Sequence, residues 1–179
     1  MKTINVPVRE QVSHDSQLLF DQIKSRLGKV PNLYATIGYS SKALKGFLQF
    51  DELLNQGSFS EKEKEAIALT VSEINECNYC LAAHTVTSKI KGISNEETLS
   101  IRRGKVEDPK LNTLIKLTKS IVINSGKPDP DLLEGFFNAG FDEMSLIELV
   151  GLITVRIFTN YVYALTDIPV DFPAADVLV

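Results

Sequence analysis

Apolar residues along this chain recur at helical spacing. Leu18, Leu19, Ile23 and Leu27 fall on one face of residues 16–27, a segment that stops at Gly28. A second amphipathic period runs from Lys42 to Gln56 after Ser40-Ser41 and closes at Gly57. Ser60 with Glu63 forms a capping box before a helix through Ile67, Val71 and Ile74. The next helix ends at Gly92, and Ser94 with Glu97 opens a short one that stops at Gly104. Asp108-Pro109 and Asp129-Pro130 each put a capping side chain before a proline at the first helical position. The last long helix spans about Glu143 to Leu165, and residues 167–179, with two prolines, read as an extended tail. Strand-like alternation is nearly absent, so the pattern predicts an all-α fold.

The pattern also repeats. Leu53-Leu54-Asn55-Gln56-Gly57 matches Phe136-Phe137-Asn138-Ala139-Gly140, and Phe59-Ser60-Glu61 matches Phe141-Asp142-Glu143. Asn78-Tyr79 and Asn160-Tyr161 then follow at equal distance. A duplicated helical unit is expected, with one copy at about 42–91 and a cysteine-free copy at about 130–166. Two helix pairs alike only in composition would give the same impression.

Composition narrows the function classes. At 179 residues the chain suits a single domain, 1–179. Hydrophobic content of 44% and charged content of 23% are ordinary for a soluble globular protein. A net charge of -4, without a basic cluster interleaved with aromatics, argues against nucleic-acid binding. The N-terminal Met1 to Pro7 stretch lacks the apolar run of a signal peptide. The most apolar run, Leu149 to Phe158, is interrupted by Arg156 and falls short of the ~20 residues that span a bilayer. It reads as a buried helix of a cytoplasmic protein with no membrane partner.

The chemistry gathers in Cys77-Asn78-Tyr79-Cys80-Leu81-Ala82-Ala83-His84, which holds both cysteines. On a helix, positions three, four and seven apart share a face, so the imidazole can serve as base to a dithiol. Cysteines one turn apart also lie within the ~4.4–6.8 Å Cα separation of a disulfide. Asn75 is a candidate N-cap, placing the thiols where the helix dipole favours thiolate. A break there matters for Glu65. In one straight helix it would lie about 18 Å from Cys77 at ~1.5 Å per residue. Folded back at Asn75, it could orient His84.

Three alternatives remain open on the residues alone. The cysteines could be small buried hydrophobes, or ligate zinc with His84 and Glu65, or form a slowly oxidising redox sensor. Glu65 lies in the run Glu61-Lys62-Glu63-Lys64-Glu65, which commonly marks a solvated face. His14 is expected in a surface loop. Arg156, inside an apolar helix, requires a carboxylate partner or an interface.

Glu65, eleven residues, Cys77-x-x-Cys80, three residues and His84 together resemble the alkylhydroperoxidase D / carboxymuconolactone decarboxylase-like family. Gly28-Lys29-Val30-Pro31-Asn32 and Asn160-Tyr161 before the proline-rich tail are similar as well. The resemblance implies a duplicated all-helical fold, assembly as a trimer or hexamer, and peroxidase chemistry without cofactor or metal. It implies a small hydroperoxide substrate and an external dithiol reductant. Cys80 would be the peroxidatic cysteine, Cys77 the resolving one, and Glu65 with His84 the proton relay. Tyr79 stands where the best-known members carry a second histidine; its phenol, ~10 in pKa, is a poor base and at most an auxiliary. The cysteine pair argues against the true lactone decarboxylases. A general dithiol–disulfide oxidoreductase is the nearest alternative.

Overall fold

Every capping signal but that of Asn75 finds its donor. The structure, a computed structural model, describes residues 3–178; Met1, Lys2 and Val179, with the N-terminal and tail expectations that fall on them, lie outside. Ser13 accepts from the Ser16 amide to start α1 (His14–Leu27), which stops on Gly28 at φ 77°. His14 is therefore the first residue of a helix rather than part of a loop, though exposed as expected. α2 (Asn32–Ile37) follows Pro31 and was not predicted: six residues are too few to establish a period. Ser40 caps α3 (Ser41–Asn55). The Ser60/Glu63 box opens α4 (Glu61–Ile74), and α5 (Asn78–Ile90) carries the CxxC segment. The Ser94/Glu97 box opens α6 (Asn95–Arg102), while Asp108 and Asp129 cap α7 (Pro109–Ile123) and α8 (Pro130–Asn138). Asp142 caps α9 (Glu143–Thr166). Among the described residues there is no strand, and the fold is all-α.

Gly57 does not close α3 by a left-handed turn. It lies under the Glu148 carboxylate, where a Cβ would come within 2.6 Å of an oxygen, and Glu148 accepts from the Ser58 amide and hydroxyl. A side chain at 57 would have to displace the Glu148 carboxylate from Ser58.

α4 is the central helix, packed by α5, α6, α7 and α9. Every residue from Lys64 to Ser72 is buried, so Lys64 and Glu65 leave the solvated face that their charge run suggested. One apolar cluster surrounds α4 with Ile115, Leu117, Phe136 and Leu152 among its members. A second gathers Phe20, Leu33, Leu44 and Phe47 around Cys77, Tyr79 and Cys80. Each such large side chain contributes ~1.5–3 kcal/mol on burial, so the cysteine segment is held by packing from α1, α2 and α3.

α9, at 24 residues, is longer than its most apolar run and by length and composition could cross a membrane. Instead Leu149, Leu152, Ile153 and Val155 enter the core, and its other face leaves Met144, Ile147, Tyr161 and Leu165 exposed. Asn160-Tyr161, which the expected repeat pairs with Asn78-Tyr79, lies within this uninterrupted helix. Residues 167–178 follow without a helix and lie back over α2, where the Asn32 amide side chain donates to the Pro169 carbonyl at 3.0 Å.

Candidate active site

The site is built on the corner between α4 and α5. Asn75 is not the N-cap of the cysteine helix; it is the C-cap of α4, and its side chain donates to Asn160 Oδ1 at 2.9 Å. Glu76 takes a left-handed conformation, φ 51°, and donates to the Glu73 carbonyl at 3.1 Å. The Cys77 amide then reaches back to the Ser72 carbonyl at 2.9 Å. These two bonds form a Schellman motif with glutamate where glycine is usual. Cys77 itself is the N-cap of α5, its sulfur accepting from the Cys80 amide at 3.3 Å. The break falls where the spacing predicts it, and Cys77 rather than Asn75 caps the second helix.

Cys77 and Cys80 are joined as a disulfide with Cα atoms 5.3 Å apart. Both are buried, at 1% and 3% exposure. Only Cys80 lines the adjoining pocket of about 350 Å³, together with His84, Tyr34, Arg156 and Phe172. Cys77 lies behind it.

The corner folds α5 against α4 and brings His84 to Glu65. His84 Nδ1 and Glu65 Oε2 are 2.9 Å apart, and Lys91 Nζ donates to Glu65 Oε1 at 2.7 Å and binds Glu61 Oε2 at 2.6 Å. Burial opposes ionisation of Glu65, yet the His84 imidazole and the Lys91 ammonium outweigh it and hold the carboxyl at about 2. An ionised Glu65 can only accept. Nδ1 therefore carries the proton, and Nε2 is the lone pair available to a thiol. Lys91 escaped the sequence reading; its signal is the i,i+7 spacing from His84 opposite Glu61 and Glu65 at i,i+4. The four polar candidates do not converge as metal ligands: among the described residues no three His, Cys, Asp or Glu side chains do.

Tyr79 is turned to another task. Its hydroxyl donates to Asp171 Oδ1 at 2.5 Å and accepts from the Leu33 amide at 3.1 Å. Burial first, then the Asp171 bond, push its phenol up. Asp171 also takes Lys29 Nζ at 2.8 Å, and Phe172 sits edge-on to the Tyr79 ring. Two separate stretches, Gly28 to Asn32 and the proline-rich tail, thus meet across Tyr79. Arg156 finds its carboxylate within the chain, Nη2 to Asp51 Oδ1 at 2.5 Å.

The sequence profile of the Carboxymuconolactone decarboxylase family matches residues 41–119, α3 through most of α7. Solved structures share the fold over nearly the whole chain. An uncharacterized peroxidase-related protein from Silicibacter sp. TM1040 superposes with a TM-score of 0.75 at 21% identity, covering 97% of this chain and 93% of that one. The debrominase Bmp8 in complex with 2,3,4-tribromopyrrole gives 0.80 at 16% identity, covering 96% and 93%. The alkylhydroperoxidase AhpD core, a peroxidase-related protein from Ralstonia eutropha JMP134, gives 0.79 at 17% identity, covering 89% and 87%.

Proposed function

From the match of residues 41–119 to the carboxymuconolactone decarboxylase family and the alkylhydroperoxidase D-like fold, we propose that this chain is a thiol-dependent hydroperoxide reductase of that family. One observation carries the reading: Cys80 and His84 share a pocket, and His84 is held by an ionised Glu65 while Cys77 stands within disulfide reach. In the reduced protein, His84 Nε2 takes the Cys80 proton. The thiolate attacks one peroxide oxygen, the O–O bond breaks, and Cys80 becomes a sulfenic acid. The alkoxide leaves with the proton returned by His84. Cys77 then displaces water from the sulfenic acid to form the disulfide, and an external dithiol returns both thiols. The cycle needs no metal or cofactor.

The peroxidase-related and AhpD-core neighbours support this substrate class. The exposed apolar residues of α9 support a homo-oligomer; a trimer or hexamer is what the family resemblance implies, and a cytoplasmic location is the expectation from the sequence. A second reading is favoured by one observation: Tyr79, at the position of the family's second histidine, is committed to Asp171. The same dithiol would then act as a general disulfide oxidoreductase, or on a substrate other than a peroxide, as one structural neighbour is named a debrominase.

Reduced protein mixed with one equivalent of tert-butyl hydroperoxide should lose two thiols per chain and yield one alcohol, and Cys80→Ser should abolish this. Undiminished peroxide reduction by Cys80→Ser would remove the mechanism. Fast reaction with small disulfides but not with peroxide would favour the second reading.

A further inference from the structure

Among the described residues, two side chains of the Cys80 pocket, Tyr34 and Arg156, keep hydrogen-bond donors without a protein acceptor. Tyr34, on α2, packs its ring on Phe47 with centroids 5.3 Å apart. Among the described residues its hydroxyl has no hydrogen-bond partner. Burial, then the charge of Asp51, push its phenol up to about 12, so it remains a donor at any physiological pH. Arg156 lines the same pocket with its side chain only 11% exposed. It meets Asp51 through Nη2 alone, leaving Nε and Nη1 without a protein acceptor among the described residues. Neither donor is sealed from solvent, so both open onto the pocket. A ligand that brings an acceptor can there replace the water that serves them.

Most of the remaining lining is apolar, with Leu27, Pro31, Val86, Ile90 and Phe172 beside Lys29, His84, Thr87 and Thr159. We infer that Tyr34 and Arg156 form an acceptor subsite in this pocket, holding an uncharged oxygen (carbonyl, ether or peroxy) of a substrate whose body is apolar. Charge balance selects a neutral ligand over an anionic one. Arg156 is matched by Asp51, Lys29 by Asp171, and Lys91 by Glu61 and Glu65. A carboxylate entering here would meet no uncompensated cation, and it would feel Asp51 and Glu65, both of which act on the Tyr34 hydroxyl.

The inference rests on the pocket beside Cys80 being the substrate pocket, and its test is kept apart from turnover. The oxidised full chain, which cannot reduce peroxide, is titrated by NMR with acetophenone, ethylbenzene and benzoate. Acetophenone should bind about tenfold tighter than ethylbenzene, the effect of one to two neutral hydrogen bonds, and benzoate more weakly than acetophenone. Tyr34→Phe should erase most of the difference while leaving ethylbenzene unchanged. Should that variant misfold, Arg156→Lys keeps the Asp51 pair, removes the free guanidinium donors, and should also shrink the difference. Equal binding of acetophenone and ethylbenzene, full discrimination in the variants, or benzoate as the tightest ligand would each overturn the subsite. A wild-type protein that discriminates as expected but consumes no peroxide would leave the subsite standing and remove only the peroxidase reading.

Discussion

Glu65 Oε2 and His84 Nδ1 lie 2.9 Å apart across two helices, from residues nineteen positions apart in the chain. The pair fixes both the tautomer and the direction of the imidazole. Glu65→Gln preserves shape but not charge, and Nδ1 can then be either protonated or bare. Oxidation of Cys80 by hydroperoxide should slow by ~10²-fold, the usual scale of general-base assistance. Stopped-flow thiol loss across pH 5–9 measures it; a rate equal to wild type at every pH would deny the relay.

Glu65 also links stability to pH. Its folded value of about 2 lies below the ordinary 4.5 because His84 and Lys91 overcome the cost of burial. A carboxyl depressed in this way contributes stability that is complete above its unfolded value and is lost as pH falls through its folded one. The denaturant midpoint of the oxidised protein should therefore fall between about pH 4.5 and 2, and Glu65→Gln should flatten that limb. Lys91→Met should narrow the window from below, by letting the folded value of Glu65 rise, and Lys91→Arg should restore it.

Tyr79 fastens the tail. Tyr79→Phe keeps the contacts with Tyr163 and Phe172 but removes the donor to Asp171 and the acceptor for Leu33. A loss of ~1–3 kcal/mol is expected from the groups left unpaired. Limited proteolysis should cut sooner after residue 166, while the initial rate of Cys80 oxidation should change by less than about threefold. A drop of two orders of magnitude in that rate would instead put Tyr79 in the chemistry.

Glu76 sits at φ 51° in the turn before Cys77, a region that costs a residue with Cβ ~1–2 kcal/mol. Glu76→Gly should be neutral or stabilising by up to ~1 kcal/mol in thermal melts. Glu76→Val should lose at least that much and disturb the cysteine segment, seen as altered disulfide formation.

Helix starts were readable at Ser60, Ser94, Asp108 and Asp129, because a cap is a local event, but the cap at Ser13 went unread and left His14 in a loop. The relay was readable only as far as spacing implies a corner. Asn75 and Cys77 both offer a capping atom, and the choice between them depends on the Schellman turn, which sequence does not signal when glutamate takes the place of glycine. Lys64 and Glu65 were harder still: a charge run looks solvated until α5, α6, α7 and α9 close around it. Tyr34 and Asp171 belong to segments without a period of their own, so nothing short of the tertiary arrangement brings them to the site.

The cap at Cys77 carries a consequence for how the protein could be read by its partners. The sulfur that sets the first turn of α5 is the same atom that changes bonding when the couple is reduced. The amide of Cys80, the register of the helix start, and the Glu76 turn are therefore all attached to the redox state. Backbone amide signals of Glu76 to Leu81 should report the oxidation state of the couple without any added label.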